Sequence, residues 1–213
     1  MMSSNVKEDM QWFAYWGALL VKSKIPKSLH RELLRQGEKL KKDEASRYNK
    51  HLAGVIKDEF IFKNFQSWFM PKFMPSLLSY ENIFETDWKE SATHIASPFY
   101  VEECELWINY QKCREFNPRH YHVGDLSFVI YLQIPEELKQ ENQKTKELHN
   151  SQGTGAIQFH YGEHMPFSLH SLQELPEEGD MYIFPSWLQH SVSPFFVDVE
   201  RISVAGNITL TKS

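Results

Sequence analysis

The hydrophobic pattern changes along the chain, from helical spacing in the first half to short apolar runs in the second. Leucines recur at helical spacing over Leu29–Lys42 and predict an amphipathic helix there. A second helix is predicted over Lys63–Tyr80, which carries an aromatic stripe, and Pro71 and Pro75 are expected to break or kink it. Residues 1–98 are therefore expected to form a mainly helical support region.

From residue 99 onward, short apolar or alternating runs separated by turn residues predict strands. These runs are Tyr100–Tyr110, Leu126–Ile134, Ala156–Tyr161, Met181–Phe184, Ser191–Val197 and Arg201–Leu210. Helices followed by six or more short strands indicate an α+β protein with helices packed on an antiparallel sandwich or barrel. We expect a single domain over residues 1–213. The polar stretch from Pro135 to Gly155 is expected to be a mobile excursion between two strands that could lie over the site.

Composition and charge narrow the class of protein. The chain has 23 Lys and Arg against 28 Asp and Glu, a net charge of −5, which argues against general nucleic-acid binding through a basic surface. The longest apolar run, Trp12–Val21, is about half of the roughly 20 residues that a membrane helix needs, so no membrane span is expected. Acidic Glu8 and Asp9 before that run argue against a secretory signal, and we expect an intracellular, cytoplasmic protein.

The arrangement of three histidines indicates a metal site. His120 and His122 form a His-x-His pair directly before a strand, and residues i and i+2 of an extended chain point to the same face. His190 lies between two later strands and can be brought back across the sheet. Three such ligands leave open coordination positions, an arrangement suited to iron(II) or another divalent metal.

The last predicted strand carries a charge on its polar face. Arg201 and Ser203 share one face of this strand, while Ile202 and Val204 share the other. An inward arginine is costly to bury without an anion, and its planar guanidinium matches a carboxylate. We therefore expect an anionic group beside Arg201, with Ser203 donating a second hydrogen bond.

Four strings in this order carry a resemblance to a known family. They are FNPRHYHVGDLSFVIYLQIP, GAIQFHYGE, EEGDMYIFPSWLQHSV and ERISVAGNI, and the resemblance that they carry covers about Leu106–Leu210. This region resembles the 2-oxoglutarate- and Fe(II)-dependent oxygenases, and among them the oxygenase family with an H-x-H motif. The resemblance implies a prolyl-hydroxylase-like double-stranded β-helix, or jelly-roll, over residues 99–213. It also implies an enzyme, a dioxygenase that hydroxylates a C–H bond and decarboxylates 2-oxoglutarate to succinate, with Fe(II), 2-oxoglutarate and O2.

The resemblance assigns roles to individual residues. His120 stands at the first histidine of the usual H-x-D/E motif, and His190 stands at the distal histidine. Arg201 stands at the arginine that binds the distal carboxylate of 2-oxoglutarate, and Ser203 stands at the small hydroxyl residue of the R-x-S pair. His122 occupies the position of the usual Asp or Glu, so the site would have one negative charge fewer and bind Fe(II) more weakly.

Four further residues are candidates for this site. Asp125 is an alternative to His122 as metal ligand if the strand bulges, or it could orient an imidazole. Asn109 and Tyr110 stand where related oxygenases present a side chain to the cosubstrate, and they point to opposite faces, so at most one reaches inward. Tyr131 could donate a phenolic hydrogen bond to the carboxylate near Arg201.

Two other functions compete with the dioxygenase. A cupin-like metalloprotein that does not use 2-oxoglutarate fits the histidines, but it does not require the inward Arg201. A non-catalytic barrel relative is the third hypothesis, and it depends on His122 replacing an acid. By resemblance, a peptide or protein side chain is the leading substrate and a small molecule the second. The resemblance also extends to enzymes of phages, which would act in a host cell.

Overall fold

The computed structural model describes residues 17–88, 98–148, 153–166 and 168–211. In these residues the helices are α1 (Lys27–Leu40), α2 (Gln66–Ile83) and α3 (Glu136–Leu148), and α2 continues into a π-helical turn at Phe84–Trp88. The strands are β1 (Val21–Lys24), β2 (Glu59–Ile61), β3 (Val101–Gln111), β4 (Asn117–His120), β5 (Leu126–Gln133), β6 (Ile157–His160), β7 (Ser171–Glu174), β8 (Asp180–Pro185), β9 (Gln189–Val192) and β10 (Arg201–Leu210).

The strands form two antiparallel sheets. The large sheet has the order β1-β8-β5-β10-β3-β2, and the small sheet has the order β4-β9-β6-β7. Strand β10 lies between β3 and β5 and pairs with both along most of its length. The predicted α+β class with helices packed on antiparallel sheets is confirmed.

Helices α1 and α2 cover one face of the large sheet. Leu29 and Leu33 of α1 are fully buried, as are Phe69 and Phe73 of α2. The two phenylalanines stack on Phe128 of β5, with ring centroids 5.7 and 4.6 Å from it. Burial of this aromatic stripe is the main force that holds α2 on the sheet.

Of the two outcomes predicted for the prolines of α2, a break or a kink, the break does not occur. The helix runs without interruption through Pro71 and Pro75. A proline within a helix costs about 3 kcal/mol, and each buried phenylalanine on either side returns roughly 1.5–3 kcal/mol. Tertiary packing therefore outweighs the local cost.

The predicted mobile excursion is also wrong for the described residues of that stretch. Residues 136–148 form α3, whose Leu138 is fully buried and whose Asn142 donates a hydrogen bond to the carbonyl of Thr154 at 2.7 Å. The 13 residues of α3 have only two buried positions, and one of them is an asparagine, so the sequence is hydrophilic although the helix packs on the domain. Residues 149–152 of the stretch lie outside the described residues.

Four strands were not predicted, and two of them lie in the N-terminal region. Strand β1 pairs with β8, and β2 pairs with β3, so both extend the large sheet at its edges. Strands β4 and β7 are four residues long and belong to the small sheet. The strand predicted over Ser191–Val197 is shifted to Gln189–Val192, ahead of Pro194, which has no N–H to donate. The boundary between a support region and a core at residue 98 remains a prediction.

None of the helices in the described ranges combines the length and the apolar character needed to cross a bilayer.

Cys104 and Cys113 are free and half-buried.

A buried carboxylate ties β1 to the sheet. The Asp180 side chain is 1% exposed, and Lys22 Nζ and Lys24 Nζ lie 3.2 and 2.7 Å from its oxygens. Burial acts to raise the pKa of Asp180, but hydrogen bonds from Lys24, the Glu177 backbone and Lys22 outweigh it and hold the pKa below its usual value. The carboxylate therefore stabilises the fold only in its charged form.

We expect the double variant Lys22→Met/Lys24→Met to lose about 2 kcal/mol of unfolding free energy near neutral pH, because Asp180 stays buried without a cation. The deficit should shrink as the pH falls through the pKa of Asp180, since a protonated carboxyl needs no cation. Urea unfolding at several pH values measures it. Lys144→Met, an exposed control, should change stability by less than about 0.5 kcal/mol. An equal loss at every pH would contradict this role.

Close packing at Gly206 supports a second prediction. Gly206 lies within β10, and a Cβ there would overlap the carbonyl oxygen of Glu105 and the ring of Phe128. We expect Gly206→Ala to cost about 2 kcal/mol of unfolding free energy, as overpacking does. Gly162→Ala is the comparison, because its Cβ would meet open space and only its φ of +74° imposes a cost of about 1 kcal/mol. Equal urea midpoints for Gly206→Ala and the wild type would contradict it.

Candidate active site

The small sheet brings the three histidines together. His120 ends β4 and lies directly opposite His190 of β9 in the strand register. The ring centroid of His120 is 4.3 Å from that of His190 and 4.9 Å from that of His122. One nitrogen from each imidazole lies within 4.8 Å of the others, so a single ion can contact all three.

Backbone carbonyls orient two of the rings. His120 Nδ1 lies 2.7 Å from the carbonyl of Pro118, and His190 Nδ1 lies 3.0 Å from the carbonyl of Leu188. A carbonyl oxygen only accepts hydrogen bonds, so Nδ1 carries the proton in both rings. The lone pair of each ring is therefore on Nε2, the arrangement that metal-binding histidines use.

The surroundings keep these imidazoles uncharged. Burial lowers the pKa of His190 to about 3 and, with repulsion from His120, lowers the pKa of His122 to about 4. Burial also lowers the pKa of His120. Neutral imidazoles are the form that binds metal ions.

The structure does not bring Asp125 to the cluster. Its carboxylate accepts a hydrogen bond from the backbone N–H of Leu210 at 2.7 Å, and its own N–H donates to the carbonyl of Ile208 at 2.8 Å. Asp125 therefore fastens the turn after the His-x-His pair to the end of β10. It replaces neither His122 nor the carbonyls that orient the imidazoles, because its side chain is directed to the large sheet.

The large sheet supplies a polar row to the same cavity. Ser203 on β10 lies opposite Asn109 on β3 and Tyr131 on β5, and Asn109 Nδ2 donates to Ser203 Oγ at 3.4 Å. Arg201 lies two residues earlier on the same face of β10. These four side chains and the three histidines line one cavity.

Several polar atoms in this cavity are buried without a partner. Arg201 is 2% exposed, and its Nη1 donates to the carbonyl of Gly155 at 2.7 Å. Within the described part of the chain, no carboxylate pairs with Arg201, and its Nε, the Tyr131 hydroxyl and Asn109 Oδ1 have no hydrogen-bond partner. Burial raises the pKa of Tyr131 to about 12, so its hydroxyl remains a donor. A carboxylate beside Arg201 and Tyr131 would satisfy these donors, so the residues fit a dicarboxylate such as 2-oxoglutarate.

The backbone conformation of Gly155 positions the carbonyl oxygen that accepts a hydrogen bond from Arg201. Gly155 has a φ of +69°, a left-handed backbone conformation that favours glycine, and a Cβ there would press on Leu138 of α3. Its carbonyl thereby faces Arg201 from the start of β6. Helix α3 thus supports the arginine through this loop.

Tyr110 is not part of the cavity. Its ring lies on the helix side of the large sheet, 3.8 Å from Lys41 Nζ and 6.1 Å from the ring of Phe60. Alternation along β3 therefore directs Asn109 inward and Tyr110 outward.

Other histidines lie away from the cluster. His160 Nε2 contacts Ser191 Oγ at 3.1 Å, and His164 contacts His170 at 3.2 Å in an exposed loop.

Trp107 and Glu59 are among the cavity-lining residues that the sequence did not indicate. Trp107 lies two residues before Asn109, and its ring is 5.7 Å from that of His122. The alternation of β3 could have indicated it. Glu59 lies on the unpredicted strand β2, and no sequence signal pointed to it.

Residues 105–207 match the model of the family described as "Putative 2OG-Fe(II) oxygenase". This segment belongs to that family. It contains the three histidines, Arg201 and the whole polar row. The matched segment is accordingly that of an Fe(II)- and 2-oxoglutarate-dependent oxygenase, with Fe(II), 2-oxoglutarate and O2 as cofactor and cosubstrates.

Solved structures similar to this chain include three prolyl hydroxylases. A Pseudomonas putida prolyl-4-hydroxylase is 14% identical with a TM-score of 0.56, and the match covers 89% of this chain and 91% of that one. A Trichoplax adhaerens prolyl hydroxylase, solved with a hypoxia inducible factor peptide fragment, is 12% identical with a TM-score of 0.53 and coverage of 91% and 83%. A Phytophthora capsici prolyl 4-hydroxylase is 14% identical with a TM-score of 0.52 and coverage of 90% and 59%. These likenesses confirm the double-stranded β-helix fold.

A search of curated protein sequences finds no significant match.

The geometry of the cluster predicts which variants of the oxygenase bind metal. We expect His190→Ala to weaken Co(II) binding by more than about 100-fold, because it removes a direct ligand and not an outer contact. Asp125→Asn should bind Co(II) as the wild type does, since that carboxylate is hydrogen-bonded to Leu210. Isothermal titration calorimetry measures both, and circular dichroism checks the fold. Full affinity in His190→Ala, or an equal loss in Asp125→Asn, would contradict the three-histidine site.

Proposed function

We propose that this oxygenase hydroxylates a C–H bond of a peptide or protein side chain, with His120, His122 and His190 as the ligands of Fe(II). In the same proposal, Arg201 binds the distal carboxylate of 2-oxoglutarate. The observation that carries the proposal is the buried, unpaired Arg201 in the same cavity as three neutral imidazoles. An oxygenase needs both features in one cavity.

Each part of the cavity has a separate task. The three imidazoles would hold the metal at one side, those of His120 and His190 through Nε2, and would leave coordination positions open. Arg201 and the hydroxyls of Tyr131 and Ser203 fix the cosubstrate at the other side, where burial strengthens each charge-assisted hydrogen bond. When bound, Fe(II) supplies the activation of O2 that couples decarboxylation of 2-oxoglutarate, to succinate and CO2, to formation of the hydroxylated product.

The imidazole of His122 changes the charge of the site. A site with three neutral imidazoles has one negative charge fewer than a site with two histidines and a carboxylate. We expect weaker Fe(II) binding than in such sites, while the orientation of His120 and His190 by backbone carbonyls is retained. Trp107 packs beside His122 and limits the positions its ring can take.

Arg201 favours this function over the alternatives. A cupin-like metalloprotein has no need of a buried cation opposite its metal site, and burying Arg201 without an anion has a high free-energy cost. A non-catalytic relative would have no reason to keep both the imidazole cluster and the unpaired arginine.

Exposed aromatic residues favour a peptide as the substrate. Tyr121, between the two histidines of the His-x-His pair, is 64% exposed, and Trp187, near His190, is 55% exposed and lies 5.8 Å from Tyr161. Exposed aromatic rings close in sequence to the histidines offer contact area to an extended chain. We also propose that the enzyme acts inside the cell.

The test is an anaerobic titration of the Fe(II)-loaded protein with 2-oxoglutarate, followed by visible absorption. Bidentate chelation of Fe(II) by 2-oxoglutarate produces a weak charge-transfer band. We expect the band in the wild type. Arg201→Leu should bind Fe(II) normally but need about 100-fold more 2-oxoglutarate, the effect of losing a buried charge partner. Arg201→Lys should lie between the two, because it keeps the charge without the planar fork.

Arg35→Leu is the matched control, because Arg35 lies on the exposed side of α1 and pairs with Glu32. It should titrate as the wild type does. Fe(II) binding without a band would favour the cupin-like function, and a protein that binds no Fe(II) would contradict both. Equal 2-oxoglutarate affinity in Arg201→Leu and the wild type would make Arg201 a structural residue.

A further inference from the structure

An acidic side chain lines the cavity beside the polar row. Glu59 on β2 lies opposite Asn109 on β3 in the register, so it continues the row Tyr131–Ser203–Asn109 to the edge of the large sheet. It is 3% exposed and lines the same cavity as the three histidines. It lies outside the segment that matches the oxygenase family, residues 105–207.

Glu59 is buried without a cation. Its one hydrogen bond is a long one, 3.4 Å from Asn49 Nδ2, and that amide makes a shorter bond of 2.6 Å to the carbonyl of Ile56. No lysine or arginine of the described residues pairs with it. The nearest charge that acts on it is Glu115, whose carboxylate already accepts from the backbone N–H groups of Lys57 and Lys112.

The wall around Glu59 is rich in hydrogen-bond acceptors. Asn49 Oδ1 and Asn109 Oδ1 are both buried without a donor in the described part of the chain. Burial, with repulsion from Glu115, raises the pKa of Glu59 to about 8. Of these groups, Glu59 and Asn109 line the cavity, and this end of it suits a group that brings N–H donors and a positive charge, which would favour the charged form of the acid.

Glu59 has no evident structural task. The backbone of β2 pairs with β3, and its neighbour Phe60 is fully buried against the helix side of the sheet. These contacts hold the strand without an acid. A dicarboxylate cosubstrate does not account for Glu59 either, because its distal carboxylate has Arg201 and the Tyr131 hydroxyl as partners on the other side of the row. The remaining ligand of this cavity is the substrate.

We propose that Glu59 is a specificity-determining residue that pairs with the ammonium or guanidinium group of a basic side chain, lysine or arginine, on the peptide substrate. This inference rests on the proposed function. The pairing favours the charged form of the buried acid and brings the aliphatic part of that side chain into the cavity that the histidines line. The N-terminal region would thus select the substrate, while the family segment supplies the metal and cosubstrate sites.

The test uses blocked pentapeptides, Ac-Gly-Ala-X-Ala-Gly-NH2, with Fe(II), 2-oxoglutarate and O2. X is lysine or arginine, their neutral counterparts acetyllysine, citrulline and norleucine, or proline. We measure succinate formed above the rate without peptide, and the gain of one oxygen in the peptide by mass spectrometry. Peptides with lysine or arginine should be turned over at least about 10-fold better than the neutral ones, because only they satisfy Glu59.

Variants separate recognition from an effect on folding. Glu59→Gln keeps the shape of the side chain and should lower kcat/KM for the basic peptides by about 100-fold, mainly through KM. Glu103→Gln removes the same charge from an exposed position of β3 and should behave as the wild type does. The anaerobic 2-oxoglutarate band reports, for each variant, whether the metal and cosubstrate sites are intact.

The outcomes distinguish the two proposals. A wild-type protein without the 2-oxoglutarate band would overturn the proposed function. If the band is intact but basic and neutral peptides are turned over equally, or no peptide is turned over, the role of Glu59 is overturned. The assignment of the cosubstrate site is unaffected by that result. Equal kcat/KM for basic peptides in Glu59→Gln and the wild type would do the same.

Discussion

The double pairing of β10, with β3 on one side and β5 on the other, is the constraint on which the site depends. Side chains alternate along this strand, so Ile202 and Val204 enter the core under the helices while Arg201 and Ser203 face the cavity. A slip of one residue would exchange the two sets and bury the guanidinium among leucines and phenylalanines. The apolar face of β10 therefore fixes where the anion-binding face lies.

The two sheets supply opposite halves of the chemistry. The small sheet and the turn after β4 hold three neutral imidazoles, two of them oriented by backbone carbonyls, and the large sheet holds a buried cation with hydroxyl and amide groups. In both halves burial creates the chemical state: it lowers the pKa values of the histidines, and it leaves Arg201 with donors that only a ligand can satisfy. The free-energy cost of these unsatisfied groups is what binding of a metal and a dicarboxylate would recover.

The residues outside the family segment do more than cover the sheet. Helices α1 and α2 bury one face of the sheet and so make its opposite face available as a cavity wall. Strand β2 adds Glu59 to that wall, and β1 is fastened by the lysines that surround Asp180. Recognition of the substrate can therefore vary in this region without disturbing the metal and cosubstrate residues, because different elements carry them.

The sequence by itself determined the features that depend on local geometry: the shared face of His120 and His122, the alternation of Arg201 and Ser203, and the family that these motifs resemble. It could not choose between Asn109 and Tyr110, because that choice depends on which face of β3 the helices cover. It also did not indicate that Asp125 is bound by Leu210, that α2 continues through two prolines, or that Glu59 lies in the cavity. Each of these was decided by contacts between residues far apart in the chain, whose burial outweighs local preference and leaves no periodic signal in the sequence.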